Sequence, residues 1–209
     1  MNTLLHDHFC KLLHRYSPDP ALSETLWKEI HIMYGHPSRH YHNLNHLVSM
    51  YANLLPVSNR LSNADAVWFA MYYHDIIYST TRRDNEEKSA ILAGKRLHSI
   101  SFPDRDIQHC QTLIRATQHH TLSTDPDINY FIDADLAILG TSPEQYIRYT
   151  EQIRREYRIY PDIIYKPGRR KVIQHFLEMP GIYKTSFFKE QFEKQAMDNL
   201  HNELETLNH

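Results

Sequence analysis

Between Ala64 and Tyr78 the chain is apolar on nearly every side, with Val67, Trp68, Phe69, Met71, Ile76 and Ile77, and a helix of that kind is stable only when other elements surround it. It needs a helical jacket. The rest of the sequence supplies one, because apolar residues recur at helical spacing from end to end while sustained period-two runs do not occur. The fold class is therefore all-α. Leu5, Phe9, Leu12, Leu13 and Tyr16 form a first stripe; a second helix follows Asp19-Pro20, carries Leu26, Trp27, Ile30 and Tyr34, and stops at Gly35. A connector, His36 to Tyr41, leads to a third helix bearing Leu44, Leu47, Met50, Tyr51 and Leu54, closed by Pro56. Asp84 opens a helix with Glu86 and Glu87 in its first turn, where acids favour the positive end of the dipole. Further helices are predicted over 104–118, 126–139, 143–157, 169–178 and 186–207, with Ser142 to Gln145 as a capping box and Gly140 as a stop.

At 209 residues this is read as one domain, with a motif-bearing core over 36–140 and a helical extension over 141–209. The net charge of −2 offers no basic field for a nucleic-acid polymer and no polybasic membrane anchor. Cys10 and Cys110 sit at apolar helical positions, which suggests neither a disulfide framework nor a thiolate zinc site. Without a signal-like start or a membrane-length apolar run, the expected location is the cytoplasm. Five glycines, none in a phosphate-cradling arrangement, contrast with 16 histidines. Histidine chemistry is where function is sought.

His74 and Asp75 lie inside the apolar run, and burying two such groups side by side is costly unless hydrogen bonds or a metal compensate. An ordinary buried His beside an Asp at a helix end would also satisfy this. In Tyr41-His42-Asn43-Leu44-Asn45-His46 the two histidines are four apart, which on a helix places them on one face, roughly 5–6 Å between Cβ atoms. Asp133 and Asp135 are embedded in a third apolar stretch, Phe131 to Leu139.

Taken together, YHNLNHL, AMYYHDIIY, DNEEKSA, DADLAILG and GRRKVIQHFL resemble the HD superfamily of metal-dependent phosphohydrolases, in its branch of small predicted enzymes, from about His36 onward. The resemblance implies an HD-domain helical bundle in which His46, His74, Asp75 and Asp135 hold a metal, with Asp133 as second choice for the last ligand. The YHNxxH segment is also similar to the opening signature of cyclic-nucleotide phosphodiesterases, which implies that His42 is the acid toward the leaving group. Several HD proteins carry a second metal through two further histidines, for which His119 and His120, or His98 and His109, are the candidates; for His119 and His120 an ordinary place at a helix C-terminus competes.

Two imidazoles and two carboxylates suit one divalent ion from among Mn, Fe, Co, Ni, Zn and Mg. Asp75 or Glu86 would orient the attacking water, and His42 would protonate the leaving alkoxide. Arg39, Lys88, Lys166, Arg169 and Arg170 are the cationic candidates for phosphate, with Lys166-Pro-Gly-Arg-Arg170 read as a turn into a helix. The expected substrate is a nucleotide or another small phosphate ester, and a homodimer is compatible with the sequence. A non-catalytic nucleotide-binding protein and an HD-type di-iron oxygenase are the competing readings.

Overall fold

A computed structural model describes residues 2–208, with side chains described for 3–207. Among these residues every regular element is helical: α1 (Asn2–His14), α2 (Pro20–Tyr34), α3 (Leu44–Leu54), α4 (Ala64–Tyr73), α5 (Asn85–Ser99), α6 (Asp104–Ala116), α7 (Pro126–Leu136), α8 (Pro143–Glu156), α9 (Asp162–Glu178) and α10 (Ser186–Asn208). Short 3-10 turns follow α3 (Leu55–Arg60) and α7 (Ala137–Gly140). None of the helices is long and apolar enough to cross a membrane. The chain divides into two compact units, residues 1–131 and 132–209. The division falls inside α7, earlier than the extension expected from residue 141, where Asp133 and Leu136 bond to Tyr183, Lys184 and Thr185 ahead of α10.

In the first unit the all-apolar helix is central, as its composition demands. Every residue of α4 from Ala66 to Tyr73 is buried. Around it α1 contributes Leu5, Phe9, Leu12 and Leu13, and α2 contributes Leu26, Trp27 and Ile30. Edge-to-face contacts of Phe9 with Tyr72 (4.9 Å) and of Phe69 with Phe102 (5.0 Å) order this core. Local signals set the ends of the helices: Asp19 accepts hydrogen bonds from the amides of Ala21 and Leu22, Asn43 from Asn45, and Asn63 from Ala66. Buried Asp127 accepts the amides of Ser62 and Asn63, both at 2.8 Å, and so anchors the approach to α4.

The second unit is built on α10. Tyr183 stacks with Phe188, and its hydroxyl donates to the Leu136 carbonyl at 3.0 Å. Asn199 donates to the carbonyls of Leu139 (2.8 Å) and Thr141 (2.9 Å). Gly140 is the last residue of the 3-10 turn that ends this helical stretch, and it is also needed for room: a Cβ there would lie 2.5 Å from both Cβ and O of Phe192. The predicted turn at Lys166 to Arg170 is not a helix start, since α9 begins at Asp162 and continues through Pro167 and Gly168. Pro161 supplies the cap position, and Pro167, the sixth residue of the helix, gives up the amide that would bond the Ile163 carbonyl.

Candidate metal centre

The apolar run does not carry its helix to Tyr78. α4 ends at Tyr73, His74 is its C-terminal cap residue, and Asp75 lies one residue beyond. Polar groups thus emerge where backbone carbonyls are left over, at the negative end of the helix dipole, which favours a cation. His46 comes from the first turn of α3, whose start is set by the Asn43 cap. The His46 and His74 side chains are 2% and 1% exposed, while that of Asp75 is 15% exposed. Solvent reaches the cluster through the carboxylate.

The two Nε2 atoms of His46 and His74 are 3.0 Å apart. Asp75 Oδ2 is 3.1 Å from His74 Nε2 and 3.9 Å from His46 Nε2. His74 Nδ1 lies 3.0 Å from the Met71 carbonyl, which can only accept, so this nitrogen carries the proton. In the neutral ring the Nε2 lone pair then faces a second imidazole nitrogen and a carboxylate oxygen. A proton on His46 Nε2 would relieve the first contact, and a cation between the three atoms relieves both. Donors in adjacent positions about 2.1 Å from a common ion stand about 3.0 Å apart, matching the two shorter separations. Fixing a ligating histidine through its other nitrogen is also how metal sites orient their ligands. The donor set fits a divalent ion.

Arg39 assembles the surroundings and is not placed as the phosphate-binding cation that was expected. Its guanidinium is buried and donates to the carbonyls of His42 (3.2 Å), Asp75 (2.6 Å) and Ile76 (2.8 Å). It also lies over the rings of Tyr34 (4.9 Å) and Tyr78 (5.4 Å). Carbonyls of the segment that follows α4, and that of His42, are thereby satisfied by a fixed cation. The Asp75 amide donates to the Tyr34 hydroxyl at 3.2 Å.

His42 is near the cluster, but for a different reason from helical spacing. It precedes the Asn43 cap and is outside α3. Its ring is 5.9 Å from that of His46 and stacks on Tyr78 at 4.2 Å. The segment holding Tyr78 is tied to α5 by residues whose part the sequence did not disclose. Asn85 accepts from the Ser79 amide and donates to its carbonyl, and Ser89 does the same for Ile77. The available signal was the DNEEKSA segment, whose amide and hydroxyl matter here more than its acids.

Glu86 is half-buried in the first turn of α5 and is outside the His46–His74–Asp75 group. Its neighbours are engaged elsewhere: Glu87 makes paired hydrogen bonds with Arg115 at 2.7 and 2.9 Å, and Lys88 pairs with Asp84 at 2.8 Å. His98 lies 3.8 Å from Asp104 on the surface. His109 groups with Asp125 and Asp127 beside the start of α4, which the rise from Asn63 to His74 separates from the first cluster by about 16 Å. It is therefore not a ligand for a second metal beside His74. The amides of His119 and His120 bond back to Ala116 at the end of α6, and His120 adopts a positive φ of 51°. This is the helix-terminal role.

In the second unit, Asp133 is fully buried, and its carboxylate accepts from the Lys184 amide (2.7 Å) and from the Thr185 amide and hydroxyl (both 2.8 Å). Burial pushes its pKa up, and these hydrogen bonds oppose the shift. Asp133 thus anchors the lead into α10, and Asp135 is half-buried two residues along α7. Arg169 is also committed, through hydrogen bonds of 2.7 and 2.9 Å to Glu203. Lys166 lines a cleft of about 460 Å³ with Arg154, Arg155 and Tyr165. Arg170 holds a buried Nε without a hydrogen-bond partner.

Compared with known proteins, the chain matches no family model, no curated protein and no solved structure.

Proposed function

We propose that this chain is a metal-dependent phosphohydrolase of the HD type, acting on a nucleotide or another small phosphate ester. One observation carries the reading: His46, His74 and Asp75, three of the ligands that the resemblance implies, bring three donor atoms to within 3.0–3.9 Å of one another. Asp135 is assigned as the further ligand on the resemblance of its sequence context. A divalent ion held there supplies a Lewis acid that acidifies bound water and neutralises charge on phosphoryl oxygens. The chain's own residues do the rest. Asp75, reached by solvent, orients the attacking water, while Arg39 holds the backbone on which Asp75 rides. His42, steadied by Tyr78, donates a proton to the departing alkoxide.

The test is metal content followed by hydrolysis of a nucleotide and phosphomonoester panel with added Mn²⁺ or Ni²⁺. His74→Ala and Asp75→Ala are expected to lose both metal and turnover, whereas His42→Ala keeps the metal and slows turnover by about 10²–10⁴-fold. Metal loss in His42→Ala would reverse the roles of His42 and His46. Absence of hydrolysis by a metal-loaded protein would favour a binding protein, and an iron-dependent oxidation would favour an oxygenase.

A further inference from the structure

A second group of donors lies on α1 and α2 and shares no residue with the first. His6 and Cys10 are one helical turn apart on α1, and Glu24 faces them from α2. His6 Nε2 is 2.9 Å from Glu24 Oε1 and 3.6 Å from Cys10 Sγ. His6 Nδ1 is 3.2 Å from Asp7 Oδ1. The carboxylate at Nδ1 fixes that proton and leaves Nε2 as the nitrogen turned toward the sulfur and Glu24, the arrangement by which an outer carboxylate orients a zinc-ligating histidine. For tetrahedral zinc, with Zn–S about 2.3 Å and Zn–N about 2.0 Å, sulfur and nitrogen stand about 3.5 Å apart. The sulfur–nitrogen separation agrees, while the 2.9 Å between Nε2 and the Glu24 oxygen must widen to about 3.3 Å, a small movement for an exposed glutamate.

We infer that His6, Cys10 and Glu24, with Asp7 behind His6, form a surface site for a borderline divalent ion, Zn²⁺ foremost. Mixed nitrogen, sulfur and oxygen donors favour zinc over Mg²⁺ or Ca²⁺. Three protein donors leave a fourth position for water, and the ion joins α1 to α2. A simpler arrangement, an imidazolium held between Asp7 and Glu24, explains the two carboxylates and leaves Cys10 as a weak hydrogen-bond partner of Nε2 at 3.6 Å. The thiol therefore decides between them.

Cys110 is fully buried, so Cys10 is the thiol a reagent meets in the folded protein. With Zn²⁺ alone as the probe, labelling of Cys10 by a disulfide reagent is expected to slow at least tenfold, and Glu24→Gln to cancel most of that protection. Co²⁺ is expected to give a thiolate charge-transfer absorption that Cys10→Ser removes. The metal centre at His46 contains no sulfur, so neither readout depends on it. Unchanged labelling at saturating Zn²⁺, or equal protection in Glu24→Gln and in His6→Gln proteins that melt like the parent, would overturn the site. Glu24 is largely exposed, so its substitution is expected to leave the fold intact.

Discussion

Replacing Arg39 by Met separates the two roles open to this cation. The change removes donors from three backbone carbonyls, those of His42, Asp75 and Ile76, and takes a charge from over two tyrosine rings. Each charge-assisted hydrogen bond contributes about 1.5–3 kcal/mol and each ring contact about 0.5–1 kcal/mol. The total is not a simple sum, because the loop relaxes and water reaches part of it; a loss of about 3–5 kcal/mol is expected. For a chain of this size that lowers the melting temperature by about 6–20 °C. Trp27 and Trp68 both belong to the first unit, so tryptophan fluorescence reports its unfolding directly. Arg39→Lys, which keeps the charge but presents one nitrogen in place of a fork, is expected to lose about half as much. Metal retention should fall in step with stability, since Asp75 rides on the clamped backbone. A Met variant that melts within 2 °C of the parent while KM rises for every phosphate ester would refute the positioning role and restore Arg39 as a phosphate ligand.

Burial, reinforced by the nearby Arg15 charge, pushes the His8 imidazole down to about 4 from its ordinary 6.5. The unfolded chain therefore takes up the proton first. Stability from this group is complete above about pH 6.5 and declines as pH falls toward 4, by about 1–2 kcal/mol after allowing for partial exposure of the ring. Denaturant melts at several pH values should show the decline, and His8→Gln should flatten it; a parallel pH profile in the variant would contradict this. Gly140→Ala sets a methyl against the backbone of Phe192, which cannot move aside as a side-chain tip would. The expected cost is about 2–3 kcal/mol, read by circular dichroism melting, and an unchanged melt would show that this approach is looser than described.

Most of the helical architecture was legible in the sequence because its causes are local. Apolar spacing, a Pro or Asn at a start, and an acid in a first turn act within a few residues, so α2, α3, α5, α8 and α10 fall close to their expected spans. The all-apolar stretch also announced its central position. What it could not announce was its end: α4 stops at Tyr73 although Ile76 and Ile77 continue the pattern, because the carbonyls of Asp75 and Ile76 are claimed by Arg39 from another part of the chain.

By itself the sequence determined which residue types could make a site: two imidazoles and an acid whose burial had to be compensated, in an order that resembles one family. Only tertiary structure decided which of the charged residues were already committed. It gave Arg39 to carbonyls, Lys88 to Asp84, Arg169 to Glu203 and Asp133 to the start of α10, and it turned His74 so that its lone pair faces His46 and Asp75. Periodicity is a property of neighbouring residues, whereas a charge acquires its role from a partner that folding brings from tens of residues away.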